Sequence, residues 1–149
     1  MIPQTTDQLT ESHVVDIVCA RLESLGWEVT QKLTTTQTGD DIIASRGDRR
    51  ICVEAKGATS ARENSERFGT PFNSAQVRVH VAEAVYKCLQ VLSREPAEHA
   101  VLAGLALPAN QVHKAQLASV EPMLERLGVA VFWVSIEAEI HILNWDPSA

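Results

Sequence analysis

The chain has few cysteines, and they are badly spaced for chemistry: Cys19, Cys52 and Cys88 form no C-x-x-C pair, and each lies in an apolar stretch where a buried thiol is common. They read as reduced core residues. No window approaches the roughly 18 to 20 consecutive apolar residues that a bilayer span needs, and no apolar run follows a basic flank at the start. A soluble, cytoplasmic protein with no membrane partner is expected. H-E-x-x-H, a Walker A loop, a nucleophile elbow and G-x-G-x-x-G are all missing, which argues against a zinc protease, nucleotide hydrolase, esterase or dinucleotide enzyme. Internal repeats and low-complexity tracts are missing as well. A length of 149 residues with an apolar share of 45% suits one domain over 1–149.

Positive charge is scarce too. A net charge of -6 argues at first against nucleic acid, because Lys and Arg neutralising phosphates usually dominate such binding. The distribution changes that reading. Residues 46–94 hold nine basic and five acidic residues, a balance of +4, whereas the remainder holds four basic and fourteen acidic, a balance of -10. A basic middle between acidic flanks suits a positive strip beside one groove, although such a run is more often a solvated face. Trp27, Trp133 and Trp145 are too dispersed for a base-stacking platform, and core packing is the better reading of the first two. His13, His99, His113 and His141 lack metal-ligand spacing.

What is present is a legible order of elements. Thr5 to Gln8 fits the capping box S/T-x-x-E/Q, and apolar residues at helical spacing up to Leu25 predict a helix over 6–25. Alternation over 27–33 predicts a strand, followed by a Thr-rich loop. Two β-prone runs, 41–46 and 49–56, are separated only by Gly47-Asp48, the strongest hairpin signal in the chain. Residues 57–72 read as a long loop of the kind that is often functional. A helix over 74–93, a strand over 99–107, a helix over 110–126 and a strand over 129–136 follow, and 139–145 suits an edge strand. A hairpin first and a strand-helix-strand crossover later predict a mixed sheet in an α/β sandwich.

The hairpin carries the chemistry. Closing it at Gly47-Asp48 makes opposed residue numbers sum to 95, so that Asp41 faces Glu54, and two directly opposed carboxylates need a compensating cation. Lys56, two residues beyond Glu54, shares its face, while Ile42, Ala44, Ile51 and Val53 make the other face apolar. On the first helix Glu11 falls within the arc of Val14, Val18 and Leu22, an acid on the inward stripe that needs a cation, a hydrogen bond or a frayed helix end. On the helix after residue 73, Gln76, His80, Glu83 and Lys87 fall within about 60° of one another, apart from the apolar arc. Gln76 and His80 are placed to meet a phosphate or Lys56. Arg62, Arg67 and Arg78 are candidate phosphate contacts, with the long loop closing over the substrate.

Gly39-Asp40-Asp41-Ile42-Ile43, followed twelve residues on by Val53-Glu54-Ala55-Lys56-Gly57, resembles the motif of the PD-(D/E)xK nuclease superfamily in order, spacing and hairpin. With the acid-bearing helix before the motif and the polar-faced helix after it, the resemblance covers about residues 6–107. Asp40 stands where the family has its proline, and register favours Asp41 over it as the metal-binding acid. The resemblance implies a restriction-endonuclease-like αβββαβ core with a C-terminal αβ extension. It also implies Mg²⁺-dependent phosphodiester hydrolysis, with Mn²⁺ as a substitute metal and nucleic acid, DNA foremost, as partner. Asp41 and Glu54, with the Ala55 carbonyl, would then hold the metal, Lys56 would orient water or stabilise charge, and Glu11 would serve a second metal or a metal-bound water. A small chain is further expected to gain grip from a homodimer or a partner protein. Two rivals stand beside this reading: a catalytically silent relative that binds nucleic acid or a protein, and an unrelated α/β scaffold whose acids only decorate its surface.

Overall fold

A computed structural model describes residues 3–33, 39–60, 70–94, 100–137 and 139–148. A 3-10 turn over Thr6–Gln8 precedes helix α1, Glu11–Ser24. Strands β1 (Glu28–Lys32), β2 (Ile42–Arg46) and β3 (Arg49–Ala55) lead to helix α2 (Ser74–Ser93) and strand β4 (Ala100–Pro108). Helices α3 (Gln111–Ala118) and α4 (Glu121–Leu127) and strands β5 (Ala130–Val134) and β6 (Ile140–Leu143) complete the order. The six strands form one sheet in sequence order, with β3, β4 and β5 parallel and the other neighbours antiparallel. The mixed α/β sheet expected from the sequence is present.

The central strands are apolar on both faces because helices cover both. Ile42, Ala44, Ile51, Val53, Phe132 and Val134 face α1, whereas Cys52, Leu105, Leu107, Val131 and Trp133 face α2, α3 and α4. At about 25 cal/mol per Å² of apolar surface removed from water, these two layers supply the main driving force for folding. The three cysteines are buried and unpaired. Among the described residues no helix is long and apolar enough to cross a membrane.

Two elements differ from the sequence reading. Helix α1 begins at Glu11, because the reciprocal cap forms at Thr10 and His13: Thr10 Oγ1 accepts the His13 N–H at 3.2 Å, and His13 Nδ1 accepts the Thr10 N–H at 3.0 Å. Thr5 makes no side-chain cap. The helix expected over 110–126 is two helices, and Pro122, which has no N–H to continue the first, lies in the opening turn of α4. The C-terminal part is accordingly two helices and two strands, richer than the expected αβ extension.

Candidate active site

The β2–β3 hairpin sets the site. Arg46 pairs with Arg49 across the two-residue turn, where Gly47 has φ +62°, the left-handed value that type II′ hairpins place on glycine. The register continues as Ile43 with Cys52 and Ile42 with Val53, without a bulge, so the next opposed positions are Asp41 and Glu54. Asp41 is buried, and its Oδ2 accepts the backbone N–H of Ala55 at 2.8 Å, which ties the residue before β2 to the end of β3. Beyond it the Lys56 N–H bonds the Ala106 carbonyl of β4.

Glycine then brings α1 to the site. A Cβ on Gly57 would stand 2.4 Å from the Glu11 backbone nitrogen and 2.6 Å from the Thr10 carbonyl carbon, so only glycine lets the exit of β3 lie against the start of α1. The Ala58 N–H bonds the Leu9 carbonyl at 2.7 Å beside it. Glu11, first residue of α1, thereby reaches Asp41 and shares a hydrogen bond with its carboxyl.

Burial dominates the electrostatics of the three acids, and the Asp41 charge adds to it at Glu54 and Glu11. Burial, then the Asp41 charge, pushes the Glu54 carboxyl up to about 7. Glu11 is raised by burial and then by Asp41. Asp41 is itself raised by burial, against the pull of the Ala55 N–H and the Lys56 charge. Lys56 Nζ lies 3.0 Å from Glu83 Oε2 and 3.8 Å from Glu54 Oε1. Burial works against its charge, but the Glu83 hydrogen bond and the Glu54 carboxylate outweigh it, and the amine is held charged above its ordinary range. Lys87 adds a second positive charge within reach of Glu54 and Asp41.

The remaining candidates divide. His80, on the same side of α2 as Glu83, feels the Lys56 charge and stands edge-on to Phe72 at 4.6 Å between ring centres. Its Nδ1 is buried without a hydrogen-bond partner. Gln76 is not drawn to Lys56: its Oε1 accepts the Asn73 N–H at 2.9 Å and completes the cap of α2. Arg78 is exposed on α2, and Arg62 and Arg67 lie outside the described residues. Asp40 is taken by Arg94, whose two terminal nitrogens meet its two oxygens at 2.8 and 3.0 Å, and this guanidinium holds the Asp40 carboxyl below its ordinary range. Asp41 is thus the acid left facing Glu54.

Two participants escaped the sequence reading. Glu83 was visible only as one member of a polar helical stripe, and nothing in its spacing singled it out as the partner of Lys56. Gly57 was read as the head of a loop, although its place directly after Lys56 was a signal that the chain must pass something closely there.

Among the described residues, no group of three or more His, Cys, Asp or Glu side chains forms a ready-made metal cage. The donor chemistry nevertheless fits a hard divalent ion. Asp41 and Glu54 are oxygen donors whose proton affinity burial raises, with the Asp41 charge adding to it at Glu54, and Mg²⁺ takes one or two carboxylates and completes its shell with water. No protein-family model, curated protein or solved structure matches the chain.

Proposed function

We propose that the chain is a metal-dependent nuclease of the PD-(D/E)xK type, acting on the phosphodiester bonds of nucleic acid, DNA foremost. One observation carries the reading: buried Asp41 and half-buried Glu54 and Glu11 come together with Lys56 where the β2–β3 hairpin meets α1. Like charges gathered in a partly buried corner destabilise a fold, and such an arrangement is typical of sites built to hold a cation.

When bound, Mg²⁺, or Mn²⁺ in its place, would lower the pKa of a water and neutralise charge growing on the phosphoryl oxygens. Asp41 and Glu54 are the residues to hold it. The Ala55 N–H fixes the Asp41 carboxylate, so that one donor is oriented before any ion arrives. Glu11, hydrogen-bonded to Asp41, is placed to take a proton or to hold a water through the outer shell. Lys56, kept charged by Glu54 and Glu83, is the donor that stabilises charge on the scissile phosphate. His80, half-buried on the Glu83 side of α2, is a further candidate phosphate contact. A small chain gains grip from a second copy or a partner protein, and a cytoplasmic setting accords with the buried free thiols.

The test is a cleavage panel over single-stranded, double-stranded and branched substrates, with Mg²⁺, with Mn²⁺ and with EDTA. The expected result is cleavage that EDTA stops and that pure Asp41→Asn protein lacks. Tight binding without cleavage in any metal would favour the silent relative.

A further inference from the structure

A second site lies on the same edge of the sheet. Strands β3, β4 and β5 run parallel, so their carboxyl ends share one edge, and ligands of open α/β sheets tend to bind in crevices there. The proposed nuclease centre uses the end of β3. Beyond the ends of β4 and β5, where the Ala109 N–H bonds the Val134 carbonyl, opens a cleft of about 450 Å³. Two strand spacings, about 10 Å, separate the β3 and β5 backbones.

The lining is unusual for a surface dip. Arg21 of α1 and Lys114 of α3 bring two cations to it, neither ion-paired among the described residues, with the Lys114 Nζ 5.7 Å from the centre of the Trp133 ring. Ser135, just past β5, contributes an Oγ that is buried and has no hydrogen-bond partner. A buried hydroxyl left without a partner costs about 1 to 3 kcal/mol, and a ligand that accepts from it recovers that loss. Ile140 and the small exposed part of Trp133, a residue otherwise buried, add apolar wall, and Glu139 and His141 complete the lining. Donors without a partner favour a phosphate. The apolar wall favours something larger attached to it, and the Glu139 carboxylate repels a bare anion while accepting from a sugar hydroxyl or a base amine.

We infer that this cleft is a nucleotide subsite, taking one phosphate of the substrate strand on Arg21, Lys114 and Ser135 and laying its sugar or base against Trp133 and Ile140. The inference extends the nuclease reading, since it makes the edge from Lys56 to Ser135 the path of one strand. Binding at the cleft needs neither metal nor cleavage, so the two can fail separately.

The experiment titrates the intact protein in EDTA with a short oligothymidylate, thymidine monophosphate and inorganic phosphate, following the Ser135 amide and the Trp133 indole N–H by nuclear magnetic resonance. Both signals should move with the oligothymidylate, less tightly with the monophosphate, and least with inorganic phosphate. Arg21→Ala together with Lys114→Ala should weaken the oligothymidylate about tenfold or more, as expected for losing charged hydrogen bonds. It should also flatten the salt slope by about 0.7, the value for one phosphate of a single strand. Ser135→Ala guards against misfolding, because deleting an unpartnered hydroxyl leaves thermal stability unchanged or raised while weakening the ligand. Still signals with every probe, equal affinity for inorganic phosphate and oligothymidylate, or Ser135→Ala and Arg21→Ala/Lys114→Ala proteins that bind like the parent would each overturn the subsite. Movement at the cleft in a protein that cuts no substrate leaves the subsite standing and removes the nuclease reading instead.

Discussion

At the scale of single residues, the strongest consequence concerns Glu54. Its ordinary pKa is 4.5 and the folded value about 7, so the folded chain holds this proton more firmly than the unfolded one. The stability this confers is fully present below about pH 4.5 and is lost as pH rises through 7. Glu54→Gln removes that loss. At pH 8 the variant should be more stable than the parent by about 0.5 to 1 kcal/mol, the scale of a relieved like-charge pair across strands, and the gap should close at pH 4. Urea midpoints at the two pH values check this, and a variant less stable than the parent at pH 8 would mean that Glu54 is not under repulsion. The same protein should cut nothing in Mg²⁺. Lys56→Ala, by contrast, should still bind substrate but lose about 10²- to 10³-fold in kcat, the scale of removing one donor to developing charge. Asp40 obeys the opposite rule: its pKa is lowered by Arg94, so its contribution is present above 3.8 and fades as pH falls below that. Arg94→Ala leaves a mostly buried carboxylate without its guanidinium and should cost about 1 to 3 kcal/mol with metal-dependent cleavage retained.

Elements show why part of the site was legible and part was not. The hairpin was readable because a two-residue turn fixes its register, and a one-residue slip would have sent Ile42, Ala44, Ile51 and Val53 to the polar side. Helix α2 was readable at both ends, with Asn73 capping it and Val77, Val81, Ala84 and Cys88 of its apolar arc buried as spacing implied, whereas Leu92, the last member of that arc, is exposed and Val91 is buried instead. The start of α1 was not, because Thr5-x-x-Gln8 matches the usual capping pattern better than Thr10-x-x-His13. Only the fold shows that the His13 ring nitrogen plays the glutamine's part. Gln76 illustrates the same competition from the other side: a residue on a polar stripe was free for a site until the backbone of Asn73 claimed it. Gly57 joins two elements, and Gly57→Ala tests that junction. A methyl 2.4 Å from a backbone nitrogen cannot be absorbed by a side-chain rotation, so α1 or the end of β3 must move. The expected cost is about 1 to 3 kcal/mol. Cleavage should fall further than stability does, since the displaced helix start carries Glu11. Thermal melts and cleavage rates on the same preparation separate the two effects, and a variant that melts and cuts like the parent would show that Glu11 owes nothing to this contact.

For the whole molecule, the proposed function requires an acidic chain to hold a polyanion, which turns on where its charge sits. The +4 balance of residues 46–94 belongs to the hairpin, α2 and the segment between them, the elements that also carry Glu54, Lys56 and Lys87. The -10 remainder belongs to the rest of the chain and repels nucleic acid from the surfaces it covers. On the proposed function, nucleic acid would therefore be steered onto one side. Phosphate contacts release counterions, so affinity should fall steeply as salt rises, and substituting Arg62, Arg67 and Arg78 together by Ala should flatten the slope by about 2 to 3 on duplex DNA. Phosphates carry no sequence information, so the weakening should be the same on unrelated sequences. The three substitutions differ in footing: Arg78 is exposed on α2, where it lines a groove with Tyr86, Leu89 and Gln116, whereas Arg62 and Arg67 belong to the segment after Lys56 that lies outside the described residues. Arg78→Ala alone should accordingly account for about 1 of that slope change. Fluorescence anisotropy with two unrelated duplexes, over a range of salt, reads both quantities. A triple variant with the parent's affinity and slope would leave the basic middle a solvated face, and the path along the carboxyl ends of the parallel strands would then have to hold the substrate by itself.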